Sequence, residues 1–178
     1  MNSPIKPLDS ALIKKLLLQA AKRLEGKWAL IGGTVLPALG VNYRSTIDVD
    51  LISLDGKQQT LKLMELAEDL GLPVETINSA GAYFLSKIED HQSHWVELIR
   101  GPHCVIYRPD AFLYLKLKMG RMSSSDLSDC EAFLDLTHRL KEPVDSQSAL
   151  KEIEKCIKKE TDQAKKERLL KLSDKLKP

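Results

Sequence analysis

Trp28-Ala29-Leu30-Ile31-Gly32-Gly33-Thr34 carries an apolar run straight into a glycine pair, and fifteen residues after Gly33 the run Ile47-Asp48-Val49-Asp50-Leu51-Ile52 begins its alternation at Asp48. Consecutive apolar residues closed by glycines read as a short, buried strand. Gly32 and Gly33 let the chain turn tightly and approach a bound group. The helix expected next, stopping near Gly40, would present free amides to an anion. In the second run, side chains two apart share a strand face, so Asp48 and Asp50 stand together with Cα atoms roughly 6.5–7 Å apart. Two bare carboxylates that close repel each other. A divalent cation is the simplest compensation, because Mg²⁺ or Mn²⁺ takes one or two protein carboxylates and fills its octahedron with water and phosphate oxygens. The same alternation also fits the solvent face of an antiparallel strand.

Working outward, Asp9 or Ser10 can cap a helix running to about Leu24, with Leu12, Ile13, Leu16, Leu17 and Ala20 at helical spacing and Gly26 ending it. Gln58 to Leu70 predicts an amphipathic helix closed by Gly71 and Pro73. Tyr83 to Ile88 and Trp95 to Ile99 flank the polar Glu89-Asp90-His91-Gln92-Ser93, a hairpin pattern, and Cys104-Val105-Ile106-Tyr107 reads as an edge strand. From Pro109 the pattern is helical over about 109–120, 125–140, 147–159 and 161–176. The expected class is α+β. A small mixed sheet flanked by helices occupies residues 1–107, and a C-terminal helical region, 108–178, packs on it.

At 178 residues and 43% hydrophobic content the chain can bury one good core with a helical appendage. Lys6, Lys14 and Lys15 precede any long apolar run, and Leu16-Leu17-Leu18 gives way at once to Gln19 and Lys22-Arg23. Nothing approaches the roughly 20 apolar residues of a membrane span, so the expectation is a soluble, cytoplasmic protein without a signal peptide or a membrane partner. Cys104, Cys130 and Cys156 form no C-x-x-C pair, which argues against both a disulfide framework and a zinc site. His91, His94, His103 and His138 show no ligand spacing. The net charge of +2 divides unevenly: ten Lys/Arg against six Asp/Glu from Leu150 to Pro178 give +4 there and −2 elsewhere. That basic tail reads either as an RNA-backbone surface or as a solvated helix laced with i,i+4 pairs such as Glu154 with Lys158.

The run from Trp28 to Gly40, followed by Tyr43-Arg44-Ser45-Thr46-Ile47-Asp48-Val49-Asp50-Leu51, resembles the active-site signature of the nucleotidyltransferase superfamily. It is most similar to the bacterial branch of abortive-infection AbiE-type nucleotidyltransferase-like toxins, where a Gly-Gly or Gly-Ser turn, an Arg-x-Thr and an Asp-x-Asp recur in this order. The similarity continues in Pro109-Asp110-Ala111-Phe112-Leu113-Tyr114-Leu115-Lys116-Leu117, in Arg121, and in Asp126 with Asp129, covering roughly residues 25–137 in blocks. In that branch a Lys on a helix, an Arg soon after it and an Asp opening the next helix complete the site. Relatives often carry a basic residue before the Asp matched by Asp126, whereas Ser123-Ser124-Ser125 stands there in this chain.

The resemblance implies a nucleotidyltransferase fold and an enzyme that moves a nucleoside monophosphate from an NTP to an acceptor hydroxyl, on a tRNA 3′ end or a protein, with Mg²⁺ or Mn²⁺ as cofactor. It further implies the toxin of a toxin–antitoxin or phage-defence system, with a cognate antitoxin as partner. The superfamily also holds members that keep the fold and lose activity, so the alternative is a catalytically inactive nucleotide- or RNA-binding protein.

Asp48 and Asp50 would then hold the metal. Two-metal phosphoryl transfer normally takes a third carboxylate. Glu97, an acid inside the apolar run Trp95-Val96-Glu97-Leu98-Ile99, is the expected one, since the superfamily places it on a strand paired beside the Asp-x-Asp strand. The competing reading is an exposed Glu on an alternating strand. Gly32 and Gly33 would approach the nucleotide, and Thr34 would bind phosphate or cap its helix. Arg44 offers a bidentate fork to phosphate, and Lys116 a point charge, with Arg121 beside it. Asp126 matches the family's catalytic Asp, yet Ser123-x-x-Asp126 also reads as a capping box.

Overall fold

The computed structural model describes residues 7–42 and 46–177. The chain forms two compact units, one from the residues up to Lys87 together with Trp95–Arg108, the other from Ile88–His94 together with the residues from Pro109 onward.

In the first unit, α1 (Ser10–Arg23) starts where the Asp9 carboxylate accepts the Leu12 N–H at 2.8 Å, one of the amides a helix start leaves without a partner. Ile13, Leu16, Leu17 and Ala20 of the stripe visible in the sequence are buried, joined by Ala21, while Leu12 is half-buried. β1 (Gly26–Ile31) is the central strand. It pairs antiparallel with β2 (Val49–Ser53), bringing Leu30 opposite Leu51 and Ile31 opposite Asp50. On its other side it runs parallel with β5 (Cys104–Pro109), with Trp28 opposite Ile106. β3 (Ile77–Asn78) adds in parallel to β2, and β4 (Trp95–Arg100) completes the sheet order β3-β2-β1-β5-β4. The edges of β1 are paired to β2 and β5, and Trp28 to Ile31, whose side chains alternate between the two faces, are all buried, so both faces of this strand are covered. The remaining helices are α2 (Val35–Ala38), entered through a 3₁₀ turn at Gly32–Thr34, then α3 (Thr60–Asp69) and α4 (Ala82–Leu85).

Three expectations need correction. Tyr83 to Ile88 is not a strand: Ala82 to Leu85 close a helical turn, with Leu85 buried and Tyr83 and Phe84 outside, so inward residues do not alternate. The hairpin forms instead between β4 and β5 across residues 101–103, a connection far too short for parallel strands. Cys104 to Tyr107 is an inner strand, flanked by β1 and β4, and Cys104 and Ile106 are buried there.

The second unit is helical: α5 (Ala111–Met119), α6 (Ser124–Leu140), α7 (Ser146–Lys159) and α8 (Gln163–Leu176). Every one of these helices opens on a side-chain cap, from Asp110, Ser123, Asp145 and Asp162. Residues 88–94 belong with them because the Asp110 N–H donates to the His94 carbonyl at 2.9 Å and His94 Nδ1 lies 2.7 Å from Asp110 Oδ2. Leu115, Met119, Met122, Leu134, Ile153, Leu169 and Leu172 are buried in its core, beside Tyr114 stacked on Phe133 at 4.0 Å between ring centres. Among the described residues no helix is long and apolar enough to cross a membrane.

Candidate functional site: the Asp48 and Asp50 face

Val49 and Leu51 point into the core, so the strand period turns Asp48 and Asp50 the other way. Asp48, just ahead of β2, is exposed, and Asp50 is half-buried. Because Ile31 pairs with Asp50, the next residue, Gly32, sits against the carboxylate. Gly32 has φ +76°, and a Cβ there would stand 2.7 Å from Asp50 Oδ2. On the other side the Gly81 N–H donates to Asp50 Oδ1 at 3.1 Å. A Cβ on Gly81 would collide with Ile31 Cδ1 and stand 3.4 Å from the Asp50 carboxyl carbon. Asn78, opposite Asp50 in β3, closes the loop toward Gly81 by accepting the Ala80 N–H at 3.0 Å. Two residues without side chains thus hold one carboxylate in place while the second stays open to water. The sequence reading missed Gly81, and the small-residue run Ser79-Ala80-Gly81-Ala82 is the signal for such a close backbone approach.

Thr34 turns inward, 1% exposed, and its hydroxyl donates to the Ile31 carbonyl at 3.2 Å. It therefore braces the turn, making no side-chain cap to α2. Gly33 is half-buried in the same turn. With four residues, α2 adds little macrodipole, so the close-packed turn is what this segment offers. Arg44 lies outside the described residues.

Glu97 is not brought to the acid pair. It stands on β4, with β5 and β1 between it and β2, roughly 14 Å away at the usual strand spacing. Its carboxylate binds the Arg100 guanidinium, Oε1 accepting Nε–H at 3.1 Å. Among the described residues no group of three His, Cys, Asp or Glu is placed to hold a metal. The two-acid set still suits Mg²⁺ or Mn²⁺: the oxygens are hard, one or two protein carboxylates suffice for Mg²⁺, and Asp48 leaves the outer side open to water and phosphate.

Lys116, Arg121 and Asp126 belong to the helical unit. Lys116 on α5 reaches Glu152 at 3.7 Å and lies over the Phe112 ring. Arg121 makes a fork to Asp126, with Nε at 2.7 Å and Nη2 at 2.8 Å. Asp126, 1% exposed, also accepts from the Ser123 amide and hydroxyl and from Lys118, so its oxygens are fully used. Burial works against the ionised form, but Arg121, Ser123 and Lys118 overcome it and hold the Asp126 carboxyl well below the ordinary carboxylate range. The capping box is real, since the Ser123 hydroxyl accepts the Asp126 N–H and the Asp126 carboxylate answers to the Ser123 N–H. The inward cation of α5 is Lys118, 2.6 Å from Asp129 and 3.1 Å from Asp126. Asp126 and Asp129, one turn apart on α6, were the sequence signal for such a partner.

Two of the tail cations are engaged too. Lys165 Nζ donates to the Gly120 carbonyl at 2.7 Å and pairs with Glu160 at 2.6 Å, while Arg168 Nε donates to the Met122 carbonyl at 2.6 Å. Burial pushes the Cys104 thiol up to about 11, with the Asp55 charge adding to it, and burial raises Cys130 further, so neither is a ready nucleophile at neutral pH. A surface depression of about 550 Å³, lined by Glu25, Gly26, Lys57 and His103, lies at the opposite end of β1 from Gly32.

Compared with protein-family models, with characterised proteins and with solved structures, the chain finds no significant match.

Proposed function

We propose that the Asp48–Asp50 face binds the phosphates of an NTP through Mg²⁺ or Mn²⁺ and transfers a nucleoside monophosphate to an acceptor hydroxyl. The observation that carries this reading is the seating of Gly32 against Asp50: the glycine turn and the acid pair, distant in sequence, meet at one point. A bound divalent ion would neutralise phosphate charge there. Asp50, fixed by Gly81, and Asp48, open to water, would supply its protein oxygens, and the Gly32-Gly33 backbone would let the triphosphate come close. In the reaction the acceptor oxygen bonds to the α-phosphorus, the bond from that phosphorus to the bridging oxygen breaks, pyrophosphate leaves, and the hydroxyl proton passes to water. Arg44 is the proposed cation for the triphosphate. The acceptor would be a tRNA 3′ end or a protein hydroxyl, and the biological role that of a cytoplasmic toxin held by an antitoxin.

A second reading, nucleotide binding without turnover, is favoured by the separation of Glu97 from β2. Incubation with each α-labelled NTP, Mg²⁺ and total tRNA, resolved on a gel, separates the two. Label moving into tRNA or protein supports transfer. Binding of NTP without any labelled product supports the second reading.

A further inference from the structure

Of the large apolar side chains exposed among the described residues, the two aromatic ones are neighbours: Tyr83 is 63% and Phe84 55% exposed. Both sit on α4, whose entry residue is Gly81. Since the Gly81 N–H binds Asp50 and Leu85 is buried, the turn is fixed at both ends and its two rings are held outward. The Tyr83 Cα lies within about 7.6 Å of that of Gly81, two Cα steps away. The rings meet edge to face at 5.5 Å, and Lys87 Nζ lies 3.9 Å from the Tyr83 ring centre. The Lys87 ammonium, by hydrogen bond and by charge, also lowers the Tyr83 hydroxyl below its ordinary value.

We infer that Tyr83 and Phe84 form the stacking surface for the base of the nucleotide whose phosphates bind at Asp48 and Asp50. This rests on the reading of the acid pair as a metal–phosphate site. Two exposed rings alone would not choose an occupant. Rings held near a carboxylate pair, with a lysine at one ring face, suit a ligand whose flat aromatic moiety is joined by a short spacer to metal-binding anionic groups. A nucleotide, with its ribose between base and phosphates, meets that requirement. Aromatic stacking accepts every base, so the surface adds affinity without selecting among the four.

The test is calorimetric titration of the full chain with each NTP and with inorganic tripolyphosphate, all with Mg²⁺. Wild type should bind NTP more tightly than tripolyphosphate. Tyr83→Ala with Phe84→Ala should raise the NTP Kd about five-fold to a hundred-fold, leave the tripolyphosphate Kd unchanged and leave Tm unchanged, since both rings are exposed. Tyr83→Phe with Phe84→Tyr should keep wild-type NTP affinity. Equal NTP affinity in wild type and the alanine variant would overturn the stacking surface while leaving the acid site standing. Absence of binding of both ligands to wild type would overturn the acid site, and the stacking surface with it.

Discussion

The space a side chain at Gly32 would need is taken by Asp50: a Cβ there would stand 2.7 Å from Oδ2, closer than real Cβ atoms come. Gly32→Ala must therefore displace the carboxylate as well as strain a backbone at φ +76°. The strain alone costs about 1–2 kcal/mol. Gly40 shares the conformation, at φ +86°, with open space around it, so Gly40→Ala isolates the strain from the clash. Thermal melts should show a loss in both variants, larger in Gly32→Ala by the cost of displacing Asp50, and calorimetry should show Mg²⁺-dependent NTP binding lost only in Gly32→Ala.

Lys118→Met should destabilise the protein by about 3–5 kcal/mol, because Asp126 and Asp129, 1% and 0% exposed, would lose the ammonium between them. Adding Asp129→Leu should recover some of the loss, since removing both partners of a buried pair costs less than removing one. Urea unfolding of the single and double variants measures both.

Acid should unfold the chain partly through Asp126. Its carboxyl is lowered in the folded state, so its contribution is present above the unfolded value of about 4 and is lost as pH falls below that, toward the folded value. Asp126→Asn should flatten the fall in Tm below about pH 4 and lower Tm at neutral pH.

Glu97→Gln should change neither Mg²⁺-dependent NTP binding nor turnover. Its tie to Arg100 is an exposed pair at the sheet edge, screened by solvent, and adds little to stability. Initial-rate kinetics showing a large fall in turnover would return Glu97 to the site.

What was legible in the sequence is what short-range chemistry dictates. The Asp9 cap, the Ser123–Asp126 box, the apolar stripe of α1 and the alternation around Asp48 all depend on residues within a few positions of each other. What escaped depends on long-range pairing. The order of β4 and β5, the two-residue β3 and the choice of Asp50 as the group Gly81 approaches follow from which strand meets which; the small residues around Gly81 signal a close approach but do not name its partner. α5 shows the same limit at one residue: Lys116 and Lys118 lie in one apolar run, and only the packing of α6 decides that Lys118 is the buried one.

The central claim is tested most directly by Asp48→Asn with Asp50→Asn, assayed with labelled NTP and Mg²⁺ against wild type. Asparagine keeps an oxygen that can accept the Gly81 N–H while removing the charge. Wild type should transfer label to an acceptor in a metal-dependent reaction, whereas the double variant should melt at an unchanged or slightly higher temperature and transfer none. Metal-dependent transfer persisting in the double variant would contradict the assignment of the acid pair as the metal–phosphate site.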